Sequence, residues 1–275
     1  MSEPEFVSYA QNMEDVVLSR LVPIVPRGRF IDIGAGHPTL ENVTYALYLR
    51  GWRGINVEPM QTEVEMLRAE RPEDETVQAA VGASMGSVML FEAPVDNRGA
   101  TTSDADVAAR YVAKGEVFGS FEAPMITLDS LLGKFQPGDV HLVKIDVEGM
   151  EFDVLTGAEL RTHRPWVLVV ESTEPNSPLS TAHLWEHLVL DAGYRFTLFD
   201  GLNRFYVRDD LEDIANLLSV PANVFDNWVP PMSLKLKAAL ASAAESETYA
   251  KALENVLADL RAENAKKRKW LGRVR

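Results

Sequence analysis

The stretch Arg29-Phe30-Ile31-Asp32-Ile33-Gly34-Ala35-Gly36 decides how the chain is read. Its first five residues form a strand-length run that is apolar apart from Arg29 and Asp32, and Gly34 and Gly36 follow at once. Strands buried in a parallel sheet need near-continuous apolar runs of this kind. Glycine at the end of such a run lets the backbone turn sharply and approach a ligand closely. Similar runs recur downstream: Arg53 to Val57, ending in Glu58-Pro59, then Thr76 to Val81, His141 to Ile145 and Trp166 to Val170. A shorter strand, Ser87 to Phe91, follows the turn signal at Gly86. Helical patterns fall between them, at Thr39 to Leu49, Gln61 to Arg71, Gly149 to Leu160 and Thr181 to Ala192. Pro38 suits the first turn of a helix and Gly193 suits a C-cap. The alternation predicts a doubly wound, mostly parallel α/β sheet. Near its end, Tyr194 to Phe199 and Arg204 to Val207 flank Asp200-Gly201-Leu202-Asn203, which reads as a β-hairpin.

The length, 275 residues, suits one large domain or one domain plus an appendage. Residues 1–230 read as that domain and residues 231–275 as a C-terminal helical extension with a basic tail. From Leu234 onward the chain is Ala-rich, and Leu240, Tyr249, Leu253, Leu257 and Leu260 fall roughly along one helical face. That face could pack on its own domain, or receive a homo-oligomeric copy or a glycosyltransferase partner. Residues 266–275 hold six Lys/Arg and no acid, so the rest of the chain is more acidic than the net charge of −14. An acidic body repels phosphates, which argues against a nucleic acid substrate. The basic tail reads either as a solvated end or as a contact with acidic lipid. There is no cysteine, which excludes disulfides, thiolate metal sites and cysteine nucleophiles. The start lacks the basic and apolar regions of a secretory leader, and Trp166 to Val170 is too short to cross a bilayer. The expected location is the cytoplasm, with the inner membrane surface as the place the tail could take it. Residues 94–124 are less regular and read as a loop, either covering a ligand or lying on the surface.

The glycine bend predicts a nucleoside cofactor. A dinucleotide fold wants a third glycine three residues after Gly36, but Thr39 stands there. Glu58, at the end of the next strand, can take both ribose hydroxyls of a nucleoside. Loss of the pyrophosphate glycine with retention of the ribose acid favours S-adenosylmethionine over NAD. The expected cofactor contacts are Asp32, Gly34, Ala35, Gly36, Glu58 and Pro59. Ala80 leaves room for an adenine ring.

The fourth run delivers Asp146 and Glu148, and the fifth ends in Glu171. In open α/β sheets ligands bind beyond the carboxyl ends of the strands, so these acids should meet on one rim. Methyl transfer to oxygen is an in-line displacement in which the enzyme positions a hydroxyl and takes its proton. Asp146, Glu148 and Glu171 are the expected catalytic groups, with Asp146 also beside the cofactor. Asp146 and Glu171 could also hold Mg²⁺ or Mn²⁺, since hard oxygen ligands suit those ions. His183 and His187, four apart on one helical face, are further candidates, with His183 read as catalytic. Surface histidine is the plainer account of both.

The run Lys144-Ile145-Asp146-Val147-Glu148-Gly149-Met150-Glu151, followed by Val154-Leu155 and Gly157-Ala158, resembles the hallmark segment of FkbM-type methyltransferases. Ser8-Tyr9-Ala10-Gln11-Asn12-Met13-Glu14-Asp15 is similar to that family's N-terminal motif. Asp32 to Gly36, Thr127-Leu128-Asp129-Ser130-Leu131 and Pro165 to Glu171 fit as well, so the likeness spans residues 6–210. It implies the seven-stranded, Rossmann-like class I methyltransferase plan, in which one hairpin closes five parallel strands. It also implies S-adenosylmethionine as cofactor and a sugar or glycan hydroxyl as acceptor. Asp146 and Glu148 would line the active site and Glu58 would hold the ribose. Gln11, Asn12, Glu14 and Asp15 would approach cofactor or substrate, although acids in a first helical turn are also favoured by the helix dipole. The alternatives are an NAD-dependent sugar oxidoreductase and a non-catalytic methyltransferase-like subunit.

Overall fold

The computed structural model describes residues 6–92, 101, 108–109, 112–113, 119–174, 177–244 and 249–272. It divides into two compact units, Tyr9–Asn223 and a second made of residues 1–8 with Val224–Arg275. In the larger unit, strands β2 (Arg29–Ile33), β3 (Arg53–Val57), β4 (Glu75–Val77), β8 (Leu142–Ile145), β9 (Val167–Glu171), β10 (Tyr194–Phe199) and β11 (Asn203–Arg208) form one sheet. Its order is β10-β11-β9-β8-β2-β3-β4. The five strands from β9 to β4 run parallel, and β11 is antiparallel to both β9 and β10. The mixed sheet is the expected one, with the hairpin supplying the antiparallel pair. Chain order reverses between β2 and β8, so their carboxyl ends flank the crevice where such sheets bind ligands.

Alternation along each strand sorts the core onto two faces. Ile31, Ile33, Val143, Ile145, Leu168 and Val170 pack with helices α4 (Leu128–Leu132), α5 (Glu151–Thr156), α6 (Leu160–His163) and α7 (Ala182–Asp191). Phe30, Leu142, Val167, Val169 and Phe205 pack with α1 (Glu14–Ser19), α2 (Tyr45–Leu49) and α8 (Glu212–Leu217) on the other face. The second face turns polar towards the carboxyl edge. Asp32, Asn56, Lys144, Glu171 and Asn203 all occupy its alternating positions and are all buried. Apolar burial on both sides makes the sheet stable, and this buried polar stripe lies at its carboxyl edge.

Three expected elements differ. The helix predicted from Thr39 begins at Tyr45. Asn42 holds residues 35–45 in an irregular connection instead: its Nδ2 donates to the Ala35 carbonyl at 3.0 Å, and its Oδ1 accepts from the amides of Thr44 and Tyr45. The helix predicted over Gly149 to Leu160 breaks at Gly157. A Cβ there would lie 2.3 Å from the Gly82 carbonyl oxygen. The run predicted over Thr76 to Val81 splits after Val77. Ala79 enters the main core, while Ala80 belongs to a second, three-stranded sheet of β5 (Ala80–Val81), β6 (Gly86–Glu92) and β7 (Gly119–Ile126). Ala80 packs against Leu90 and Ala123 there. Residues 119–124 of β7 fall in the stretch read as loop, and most of the rest of that stretch lies outside the described residues.

In the second unit, β1 (Phe6–Val7) pairs in parallel with β12 (Trp228–Val229), and helices α9 (Pro231–Ala244) and α10 (Tyr249–Gly272) follow. Leu236 and Leu260 line one cavity between these helices, while Leu257 is exposed. Side chains of Leu253 and of most of the basic tail lie outside the described residues. Among the described residues no helix is long and apolar enough to cross a membrane.

Candidate active site

The bend after β2 is built on close backbone approach. Gly34 adopts φ +72°, its amide donates to the Val57 carbonyl at 3.0 Å, and a Cβ on it would sit 1.8 Å from the Asp146 carbonyl oxygen. Gly36 also lies in the left-handed region, at φ +57°, but open space surrounds its Cβ position. The first glycine is thus required by the neighbouring strand, and the second leaves room in front of the bend.

Glu58 closes the bend from β3. One carboxylate oxygen accepts from the Gly36 amide at 2.9 Å and the other from the Met60 amide at 3.0 Å. Burial pushes its pKa up to about 7, against the pull of those two amides. Each oxygen keeps a lone pair for a further donor. Pro59 follows it, half-buried at the start of the α3 (Gln61–Glu70) connection.

Beneath the bend runs a buried chain of alternating charge. Arg71 Nε donates to Asp74 at 2.9 Å, and another guanidinium nitrogen donates to Thr44 Oγ1 at 3.0 Å. Thr44 Oγ1 donates to Asp32 Oδ2 at 2.6 Å. The other Asp32 oxygen, buried and without a hydrogen bond, lies 3.6 Å from Lys144 Nζ, beyond hydrogen-bond length but within ion-pair range. Lys144 Nζ in turn donates to the Gly34 carbonyl at 2.8 Å and sits 3.1 Å from Asp146 Oδ2. Burial works against this ammonium, but Asp146 and Asp32 outweigh it and raise its pKa. Asp32 therefore supports the bend from below rather than standing open in front of it.

Asp146, at the mouth of the crevice, is 34% exposed. The backbone beyond it turns through Glu148 at φ +52° and Gly149 at φ +106°. Glu151 stabilises that turn by accepting from the Val147 and Gly149 amides at 3.3 and 3.2 Å. The turn folds Glu148 back, so that carboxylate oxygens of Asp146, Glu148 and Glu171 come within 4.8 Å of one another. Glu171 is 8% exposed, and one of its oxygens is buried without a hydrogen-bond partner among the described residues. Burial, then repulsion from Asp146 and Glu148, pushes its pKa up to about 12. Burial and Asp146 raise Glu148 as well. Crowded acids that cannot all ionise are a setting in which one proton is shared or a cation is taken up.

The N-terminal turn reaches the hairpin. Asp15 accepts from the amides of Tyr9 and Ala10, and Glu14 accepts from the Asn12 amide at 2.9 Å. Glu14 also accepts from Asn203 Nδ2 at 2.6 Å, and Asn203 pairs in register with Glu171. Both acids are buried. Burial lifts Glu14 to about 8. Gln11 is exposed beside them. His183 and His187 are exposed along α7 and neither belongs to the acidic group. Lys144, Thr44, Arg71 and Asn203 were not singled out from sequence. Only Lys144 carried a signal, its two-residue spacing from Asp146 on one strand face.

The family model described as the methyltransferase FkbM domain matches residues 32–196, more than half of the chain. The chain belongs to the FkbM methyltransferase family. The matched span begins at Asp32 and takes in the glycine bend, Glu58, Lys144, Asp146, Glu148 and Glu171. Family membership supports methyl transfer with S-adenosylmethionine as donor. No curated protein matches the chain. Among solved structures it is similar to a TehB-like SAM-dependent methyltransferase from Corynebacterium glutamicum, with 11% identity over 71% of this chain and 86% of that one and a TM-score of 0.38. It is also similar to a precorrin-6y C5,15-methyltransferase from Geobacter metallireducens, with 12% identity over 75% and 93% and a TM-score of 0.39. A third is the Burkholderia thailandensis 1,6-didemethyltoxoflavin-N1-methyltransferase bound to S-adenosylhomocysteine, with 11% identity over 72% and 76% and a TM-score of 0.36.

Proposed function

We propose that this chain moves the methyl group of S-adenosylmethionine onto a hydroxyl oxygen, with a sugar or glycan as acceptor. The carrying observation is the group formed by Asp146, Glu148 and Glu171 beside the Gly34–Gly36 bend. In this reading Glu58 accepts the ribose hydroxyls with the lone pairs that the Gly36 and Met60 amides leave free. The acceptor oxygen attacks the methyl carbon, and the carbon–sulfur bond breaks with its electron pair remaining on sulfur. The hydroxyl proton passes to a carboxylate of the rim. A sugar hydroxyl is a poor acid, so it needs such a base at contact distance.

The same donor set fits a hard dication. Three carboxylates from two strand ends meet there, and a buried Glu171 oxygen lacks a partner. Asp146, Glu148 and Glu171 would hold Mg²⁺ or Mn²⁺, which when bound would lower the hydroxyl's pKa and orient it.

Thermal stabilisation of the protein by S-adenosylhomocysteine and not by NADH is the expected first result, since a ligand of the folded state raises its stability. Methyl transfer to members of a sugar panel is the second. Stabilisation by NADH alone would replace the proposal with the oxidoreductase, and binding without transfer to any hydroxyl would leave the non-catalytic subunit. Loss of transfer in EDTA, restored by Mg²⁺ or Mn²⁺, is the result expected if the metal takes part. Indifference to chelation removes the metal and leaves the carboxylate base.

Ribose hydroxyls donate to an ionised acid, so cofactor binding should favour deprotonated Glu58. With Glu58 at about 7, protonation grows as pH falls through neutrality. The Kd for S-adenosylhomocysteine should be flat above pH 8 and about tenfold weaker at pH 6, one pH unit below the midpoint. Calorimetric titration at several pH values checks this. The slope should vanish in Glu58→Gln, and its persistence there would assign it to another group.

A further inference from the structure

Lys144 is buried, and among the described residues it is a cation placed against both halves of the proposed site. It stands opposite Asp32 in the β2–β8 register and shares a strand face with Asp146. An ammonium has three N–H donors. Three oxygens surround this one: Gly34 O at 2.8 Å, Asp146 Oδ2 at 3.1 Å and Asp32 Oδ1 at 3.6 Å. The first belongs to the cofactor bend and the second to the acid rim. The third is anchored through Thr44 to the buried Arg71.

We infer that Lys144 is a positioning residue that locks the cofactor bend and Asp146 into one register, so that donor and acceptor are aligned by a single buried charge. Two of its N–H donors are taken by Gly34 and Asp146 and the third faces the buried Asp32 carboxylate, so it acts through its partners. Its grip on the Gly34 carbonyl orients the peptide that leads to the Ala35 and Gly36 amides. Its grip on Asp146 Oδ2 fixes the carboxylate that stands beside Glu148 and Glu171. In-line transfer is sensitive to displacements of about an ångström, so a shared tether has more effect than two independent ones.

The inference rests on the methyl-transfer reading, and the test separates the two. The unmodified protein must bind S-adenosylhomocysteine and methylate an acceptor; failure there sinks the function and not the tether. Given both, Lys144→Met should weaken S-adenosylhomocysteine binding at least tenfold and lower kcat at least a hundredfold. Combined with Asp146→Asn, it should add less than threefold to the kcat loss while still imposing its full loss of affinity. A residue that only fills space would give losses that multiply, whereas one acting through Asp146 cannot act twice. Affinity within twofold of the unmodified protein in Lys144→Met, or multiplicative kcat losses, would overturn the inference. Should Lys144→Met not fold, Lys144→Met/Asp32→Asn removes opposite charges together and carries the same affinity measurement, with Asp32→Asn alone as its control. Loss of affinity beyond that control is then expected, and equality with it overturns the tether.

Discussion

Gly34→Ala is expected to abolish measurable binding of S-adenosylhomocysteine, a loss of at least a hundredfold, and to lower the melting temperature. Two costs combine. The residue sits at φ +72°, where a side chain strains the backbone by about 1–2 kcal/mol. The larger cost is steric: the new Cβ would lie 1.8 Å from the Asp146 carbonyl oxygen and 3.0 Å from its carbonyl carbon. Both are backbone atoms at the exit of β8, so nothing flexible can yield. Relief requires prising β2 from β8, which also pulls the Gly34 carbonyl from Lys144. Gly36→Ala is the contrast. It carries a similar φ, +57°, but its Cβ would meet no atom within 4 Å. It should therefore lose only the few degrees of melting temperature that the backbone strain costs, far less than Gly34→Ala, and lose affinity through the group it pushes into the space before the bend. Calorimetry and thermal melts on the two variants check the pair. Binding within threefold in Gly34→Ala would show that the bend is not where the cofactor lies.

Asp146→Asn should lower methyl transfer by about 10²–10⁴-fold, the usual worth of a positioned proton acceptor, with a far smaller change in S-adenosylhomocysteine affinity. An amide occupies the same volume but takes no proton and offers no charge to Lys144. Its neighbours cannot substitute for it. Glu171 holds its own proton, with a pKa pushed up to about 12, and Glu148 is raised as well. Loss of the Asp146 charge removes part of the repulsion acting on both, yet burial remains the larger cause for each. Glu148→Gln and Glu171→Gln should cost less than Asp146→Asn if Asp146 is the base. Equal losses in all three would point to joint use, as in shared ligation of an ion. Rates are measured on the best acceptor of the sugar panel. Transfer within fivefold of the unmodified protein in Asp146→Asn would remove Asp146 from the chemistry.

Most of the architecture was legible because its signals are local. Apolar strand runs, helical periodicity and the turn at Gly201 each depend on a few neighbouring residues. The FkbM likeness was legible in the Lys144–Glu151 segment, which is contiguous. The readings that failed are those in which a distant group overrode the local pattern. Thr39 to Thr44 has the composition of a helix start, but Asn42 offers its backbone other partners. The run through Ala80 reads as one strand, but its second half pairs with β7, Ala80 with Met125 and Val81 with Ile126.

By itself, then, the sequence determined that a parallel sheet would form, that a glycine bend would follow its first strand, and that acids would stand at the strand ends. Each of these follows from residue type and spacing within one segment. Only the tertiary structure decided which acids meet and which keep their protons. Those properties depend on strand order and burial, and they arise where β8 lies between β2 and β9. That order sets Lys144 between Asp32 and Asp146, and crowds Glu171 against Asp146 and Glu148. The charge state of a carboxyl is set by solvent exclusion and by nearby charge, and neither is written at its own position in the chain.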